Sequence, residues 1–140
     1  MSSSCWNPRN GLAVAIGGII GANIRYGCSL IFPFDIVGGF PMATLFVNIA
    51  GACFLGWLTS FVATRVNCSP LWKLTFGTGM AGALTTYSTF AMETVQLLEV
   101  NRVGTALSYQ LLSLVGGLVS AYAGYKLGQR PTRTERGISQ

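Results

Sequence analysis

Charge is what this chain has least of. Of 140 residues only 9% are Asp, Glu, Lys or Arg; four are acidic, nine are basic, and histidine is absent. A soluble domain carries roughly 25% charged residues, so this composition excludes a water-facing surface and requires lipid to cover most of the protein. With no histidine and no CxxC pair among Cys5, Cys28, Cys53 and Cys68, the pattern of a zinc or thiol-redox centre is missing, and the cysteines read as ordinary small residues. No GxxxxGK[ST] segment occurs, which excludes an ATP-driven pump of that type. No constellation for hydrolysis or redox catalysis is present either, so the chain is not read as an enzyme. The N-terminus lacks a signal-peptide pattern. One early arginine, Arg9, precedes an apolar run too long for an h-region, without an obvious cleavage site; the first run is read as a retained helix.

The net charge of +5 does not indicate a nucleic-acid partner. The basic residues are not gathered in one patch with aromatics between them but lie between and after apolar runs, where loop cations set membrane orientation. Those runs are 12–32, 43–63, 74–98 and 103–127. Each is long enough for a membrane span, which needs about 20 residues. The expected fold is therefore an all-α membrane protein, one domain of four transmembrane helices with a mobile polar tail at 128–140. Pro33, Pro41 and Pro70 punctuate the first two connections, and no internal repeat is seen.

Orientation follows from the basic residues. Arg9, Arg65, Lys73, Lys126, Arg130, Arg133 and Arg136 fall on the side of the termini; only Arg25 and Arg102 fall opposite. This bias predicts both termini in the cytoplasm, in the plasma (inner) membrane, as a multi-pass protein. Without the three tail arginines the bias shrinks, so dual topology stays open. Small residues recur at four-residue spacing: Gly17 and Gly21 beside Gly18 and Ala22, then Gly116, Ser120, Gly124 and Gly128. Such rows let helix backbones approach closely. Because four short helices offer little interior for polar groups, an oligomer is expected.

Polar groups at membrane depth are costly, so each is a candidate functional group. Thr44 and Asn48 share one face of the second helix, and Tyr109 and Ser113 share one face of the fourth, with Gly117 leaving that row open. The third run holds the densest cluster, from Gly82 to Phe90 (GALTTYSTF). Hydroxyls and an amide donate to an anion, and no carboxylate interrupts these rows, so the chemistry suits a small anion. Ser and Thr can instead bond back to their own helix, an alternative weakest for Asn48. Gly79 and Gly82 predict a helix break, which survives at membrane depth only where it is buried in protein or lines a cavity; carbonyls freed by a break can hold a bare cation such as Na⁺. Arg25 reads as a snorkelling cation near a helix end. Glu93 reads as a partner for Arg25 or a helix-end group.

Three segments resemble one family. Gly17 to Tyr26 (GGIIGANIRY), Thr44 to Gly51 (TLFVNIAG) and Gly82 to Phe90 followed by Glu93 resemble the first, second and third helix motifs of the Fluc/CrcB fluoride channels, in order and at family spacing. The resemblance implies an antiparallel, dual-topology-type dimer with two fluoride pores and a broken third helix. It also implies a central structural Na⁺ at the dimer interface, held by backbone carbonyls of Gly82 and Thr85. On the fluoride path it places Asn48, Thr44, Tyr87, Ser88, Thr89, Phe90, Tyr109 and Ser113, with Arg25 and Glu93 structural. Tyr87 departs from the family, which has phenylalanine there; the electropositive ring edge survives and a hydroxyl is added. The charge bias also departs from the even count that an antiparallel homodimer calls for, so the partner is either a second copy or a homologous second subunit. The expected function is passive, fluoride-selective export of cytoplasmic fluoride. Two rivals are a small proton-coupled multidrug transporter, which needs a carboxylate early in the chain, and a non-conducting partner subunit of a membrane complex.

Overall fold

The computed structural model describes residues 8–34, 39–63 and 70–129. Among them every regular element is helical. Helix α1 is Pro8–Ile31 and α2 is Met42–Ala63. The third run divides: α3 is built of the consecutive pieces Pro70–Trp72, Lys73–Ala81 and Gly82–Leu84, the middle one wound in wide π-type turns, and α4 is Tyr87–Glu99. Helix α5 is Val103–Gly128. Most of the tail, like Arg65, lies outside the described residues.

Local chemistry explains the boundaries. Pro8 opens α1 at the position where a missing N–H costs nothing, and Pro33 follows its end. The α4–α5 turn is closed by two reversed bonds, Arg102 N–H to Leu97 O at 2.8 Å and Asn101 N–H to Leu98 O at 3.0 Å. Asn101 supplies the left-handed residue (φ 61°) that this stop needs. Helices α1, α2 and α5, at 24, 22 and 26 residues, are each long and apolar enough to cross a membrane. Their outer faces expose Ile19, Phe46, Leu111 and Leu118, among others, apolar surface on a scale that lipid covers and water does not. These features make the chain an all-α, multi-pass membrane protein.

Helix α1 packs on α3, and α2 packs on α5 in the most extensive contact of the fold. Both contacts use the small-residue rows. A Cβ on Gly17 would meet the Thr75 carbonyl and one on Gly21 the Met80 carbonyl; on the other pair, a Cβ on Gly124 would meet the Cys53 carbonyl. Ser120 joins the α2–α5 contact by donating to Ile49 O at 2.7 Å. The rows therefore pack helices within one chain. A compact cluster of Leu97, Ala106 and Tyr109, with Phe34, Phe40, Leu45 and Phe90 against it, closes the α4–α5 end.

The third run breaks later than its glycines suggest. Gly79 and Gly82 remain helical, and the chain extends only at Thr85 (φ −79°, ψ 151°) and Thr86 (φ −146°, ψ 123°). Glycine permits a break but does not place one; side-chain oxygens that replace the helical acceptors do.

Candidate functional site

The site is organised around this two-residue extended segment. Asn48, in the first third of α2, faces it and forms a reciprocal pair with Thr86: its Nδ2 donates to Thr86 O at 3.1 Å, and Thr86 N–H donates to its Oδ1 at 2.8 Å. A carboxamide offers one donor and one acceptor side by side, so it bonds an extended residue as a neighbouring strand would. Thr86 is also the N-cap of α4, its Oγ1 accepting from Thr89 N–H at 3.2 Å. The same hydroxyl donates to Thr89 Oγ1 at 3.0 Å and lies 3.3 Å from Ser88 Oγ. On the other side, Thr85 Oγ1 donates to Ala81 O at 3.0 Å. Gly51 of α2 lets the segment approach, because a Cβ there would run into the Thr85 methyl group.

One and a half turns into α4, Glu93 is buried. One carboxylate oxygen accepts from Thr44 Oγ1 at 2.8 Å and the other from the Tyr109 hydroxyl at 2.7 Å. Glu93 is not the helix-end group expected, since the break makes it the middle of a short helix. Its hydrogen-bond donors are these two hydroxyls rather than Arg25. Tyr109→Phe keeps the ring, which packs edge-on against Phe40 at 5.7 Å and tilted against Phe90 at 5.0 Å, but removes one donor from a buried carboxyl group. The expected result is a loss of about 1–3 kcal/mol, seen as a lower thermal midpoint of the purified protein. An unchanged midpoint would mean that the Tyr109 hydroxyl does not support Glu93.

Two cavities flank the segment. The first, about 380 Å³, is walled by Asn48, Thr85, Thr86, Tyr87, Phe90, Gln110, Ser113 and Leu114. Its walls carry two amides, hydroxyls and aromatic rings and no ionised group. Ser113 Oγ is buried and has no hydrogen-bond partner among the described residues. The second, about 280 Å³, is walled by Arg25, Ser29, Thr44, Thr86, Thr89 and Glu93 with apolar neighbours. Thr86 belongs to both walls and so stands between them.

The sequence-derived residues thus separate into groups. Asn48, Tyr87, Phe90 and Ser113 meet at the first cavity. Thr44, Thr89, Arg25 and Glu93 meet at the second. Ser88 is exposed and joins only the hydroxyl cluster on Thr86. Tyr109, fully buried, lines neither cavity and supports Glu93. Tyr87 is 81% exposed, its ring 6.0 Å from that of Phe90. Gly82 and Thr85 bracket the end of α3. Two residues were given no role of their own in the sequence reading: Thr86, although it lies inside the Gly82–Phe90 cluster, and Gln110. Thr86 carried a signal, a hydroxyl three residues before Thr89, the spacing of an N-cap. Gln110 carried one as well, an amide in an apolar helix three residues before Ser113.

Comparison with known proteins supplies the family. The family described as CrcB-like protein, Camphor Resistance (CrcB), matches residues 12–125. A protein of Geobacillus kaustophilus named fluoride-specific ion channel FluC 2 is 45% identical over 124 residues, which cover 89% of this chain and 95% of that one. The fluoride-specific ion channel FluC 1 of Bacillus cereus is 42% identical over 118 residues, covering 84% and 81%. The FluC 2 of Staphylococcus haemolyticus is 40% identical over 121 residues, covering 86% and 98%.

Proposed function

The chain belongs to the CrcB-like family, and from that premise we propose that it is a fluoride-selective channel through which cytoplasmic fluoride leaves the cell passively. It is a channel and not an enzyme. The observation that carries the reading is the first cavity: at membrane depth its wall is shared by Asn48, Tyr87, Phe90 and Ser113, whose buried hydroxyl has no partner among the described residues. A buried polar group left unpaired is costly, and an anion at that wall supplies what it lacks. Neutral donors and electropositive ring edges replace part of a halide's hydration, while the absence of a fixed cation from this wall keeps binding weak enough for release. Selectivity for the smallest halide then rests on how few donors the wall offers.

The working unit is a dimer of antiparallel subunits, formed with a second copy or with a homologous subunit of opposite orientation. In each subunit four spans cross the membrane, α3 and α4 together making the third, and both termini are cytoplasmic where one orientation dominates. A structural sodium ion at the dimer centre fits the chemistry present. Thr85 turns extended at the end of α3, which takes backbone carbonyls out of the helical ladder, and hard carbonyl oxygens are what Na⁺ prefers at a helix break. Gly82 and Thr85 would hold it, and its bound charge would offset the carbonyl dipoles gathered there. Proton-coupled drug transport draws no support from Glu93, whose two oxygens are engaged by Thr44 and Tyr109.

The deciding experiment is fluoride efflux from liposomes holding the purified chain alone in Na⁺, followed with a fluoride electrode beside a chloride control. Rapid efflux of fluoride and not chloride is expected. Silence from folded protein, both alone and co-reconstituted with an oppositely oriented homologue, would overturn the channel reading.

A further inference from the structure

In a continuous α-helix the N–H of Thr86 would bond to Gly82 O, and the N–H of Thr89 to Thr85 O. Both donors are diverted. Thr86 N–H goes to Asn48 Oδ1 at 2.8 Å, and Thr89 N–H goes to Thr86 Oγ1 at 3.2 Å. The regular register lasts up to Thr85, whose N–H still closes on Ala81 O at 3.1 Å. Two side-chain oxygens therefore stand in for two carbonyls, those of Gly82 and Thr85; the break also leaves Ala83 O and Leu84 O without a helical donor, but no side-chain oxygen among the described residues takes the place of either. Among the described residues, no backbone hydrogen bond outside the regular helices ends on the Gly82 or the Thr85 oxygen.

From this register we infer that Asn48 and Thr86 are the positioning residues of the cation site: Asn48 Oδ1 and Thr86 Oγ1 capture the two N–H groups that would otherwise occupy the Gly82 and Thr85 carbonyls. The inference rests on the channel reading and on its sodium ion. Asn48 then has two roles on two atoms. Its Oδ1 frees Gly82 O, while its Nδ2 holds Thr86 O at 3.1 Å with one N–H and has a second N–H left to donate on the cavity side. Thr86, shared by both cavity walls, is the backbone through which the two sites meet. An asparagine that served only to donate to an anion would have no need of an acceptor bond to the Thr86 N–H.

The test reads cation binding without reading flux. The thermal midpoint of the purified chain is measured in sodium chloride and in N-methylglucamine chloride; a ligand bound only to the folded state raises it. Wild type and Thr86→Ser, which keeps the Oγ1 acceptor, are expected to show the rise with Na⁺. Thr86→Val and Asn48→Leu, which remove the acceptors, lose it, and Thr86→Ala carries the same test if the valine variant does not fold. Asn48→Asp keeps an acceptor for Thr86 N–H but loses Nδ2, so it retains the rise while its fluoride efflux falls. Folded Thr86→Ala and Asn48→Leu proteins with the full wild-type rise would overturn the inference. A wild-type protein indifferent to Na⁺ would also overturn it, without touching the channel reading, which liposome efflux judges separately.

Discussion

Fluoride efflux through Asn48→Leu is expected to fall by about 10- to 100-fold in liposomes at constant Na⁺, with chloride permeation still absent. The size follows from the bond removed. A hydrogen bond to a charged group contributes about 1.5–3 kcal/mol, and each 1.4 kcal/mol is a tenfold change. Asn48 stands in the wall of the 380 Å³ cavity beside Tyr87, Phe90 and Ser113, and it also holds the extended backbone of Thr86 by two bonds. Its loss therefore removes an anion donor and loosens the segment that carries the other wall groups. Ser113→Ala is the milder comparison, since that hydroxyl holds no other group among the described residues; its efflux falls less. Wild-type flux in a folded, monodisperse Asn48→Leu would exclude the first cavity as the conducting path.

Gly21→Val is expected to prevent assembly of the native bundle. A Cβ at Gly21 would land on the Met80 carbonyl and close to the Leu84 backbone nitrogen. These are main-chain atoms of α3, so no rotamer change can clear them, and α1 must move away from α3 along the contact that Gly17 and Gly79 share. Overpacking a close contact costs about 1–3 kcal/mol where side chains can yield, and more here, where they cannot. The measurement is the monodisperse fraction on size exclusion together with the thermal midpoint. Gly18→Ala is the control: a Cβ at Gly18 meets nothing within 4 Å, and alanine is a better helix former than glycine by about 1 kcal/mol. A Gly18→Ala protein as damaged as Gly21→Val would show that the α1–α3 contact is not what the glycine row serves.

Much of the candidate site was legible before any coordinates. Asn48 stood out because an amide at membrane depth has few ways to satisfy itself within its own helix, and the hydroxyl run from Thr85 to Thr89 because no lipid-facing helix carries it. The grouping of these residues was less legible. Tyr109 and Ser113 lie four apart on one helix, yet the Tyr109 hydroxyl reaches Glu93 while Ser113 belongs to the wall of the first cavity. Helical spacing sets the direction in which a Cβ leaves, but a long tyrosine side chain ends where its neighbours leave room. Glu93 was read as a partner for Arg25 or a helix-end group, whereas its donors are two hydroxyls brought to it from other helices.

By itself the sequence determined the solvent, the class of fold and the kind of chemistry, because these depend on totals and periods: too few charges to face water, runs long enough to cross a bilayer, small residues every fourth position, and donors without carboxylates in the rows. The motif order also pointed to the right family. Only the tertiary structure decided where the third run breaks and which groups the break serves. That choice is a competition between acceptors for two backbone N–H groups, and the winning Asn48 Oδ1 lies 38 residues from its donor along the chain. No local pattern around Thr86 can register an oxygen that only folding brings to 2.8 Å.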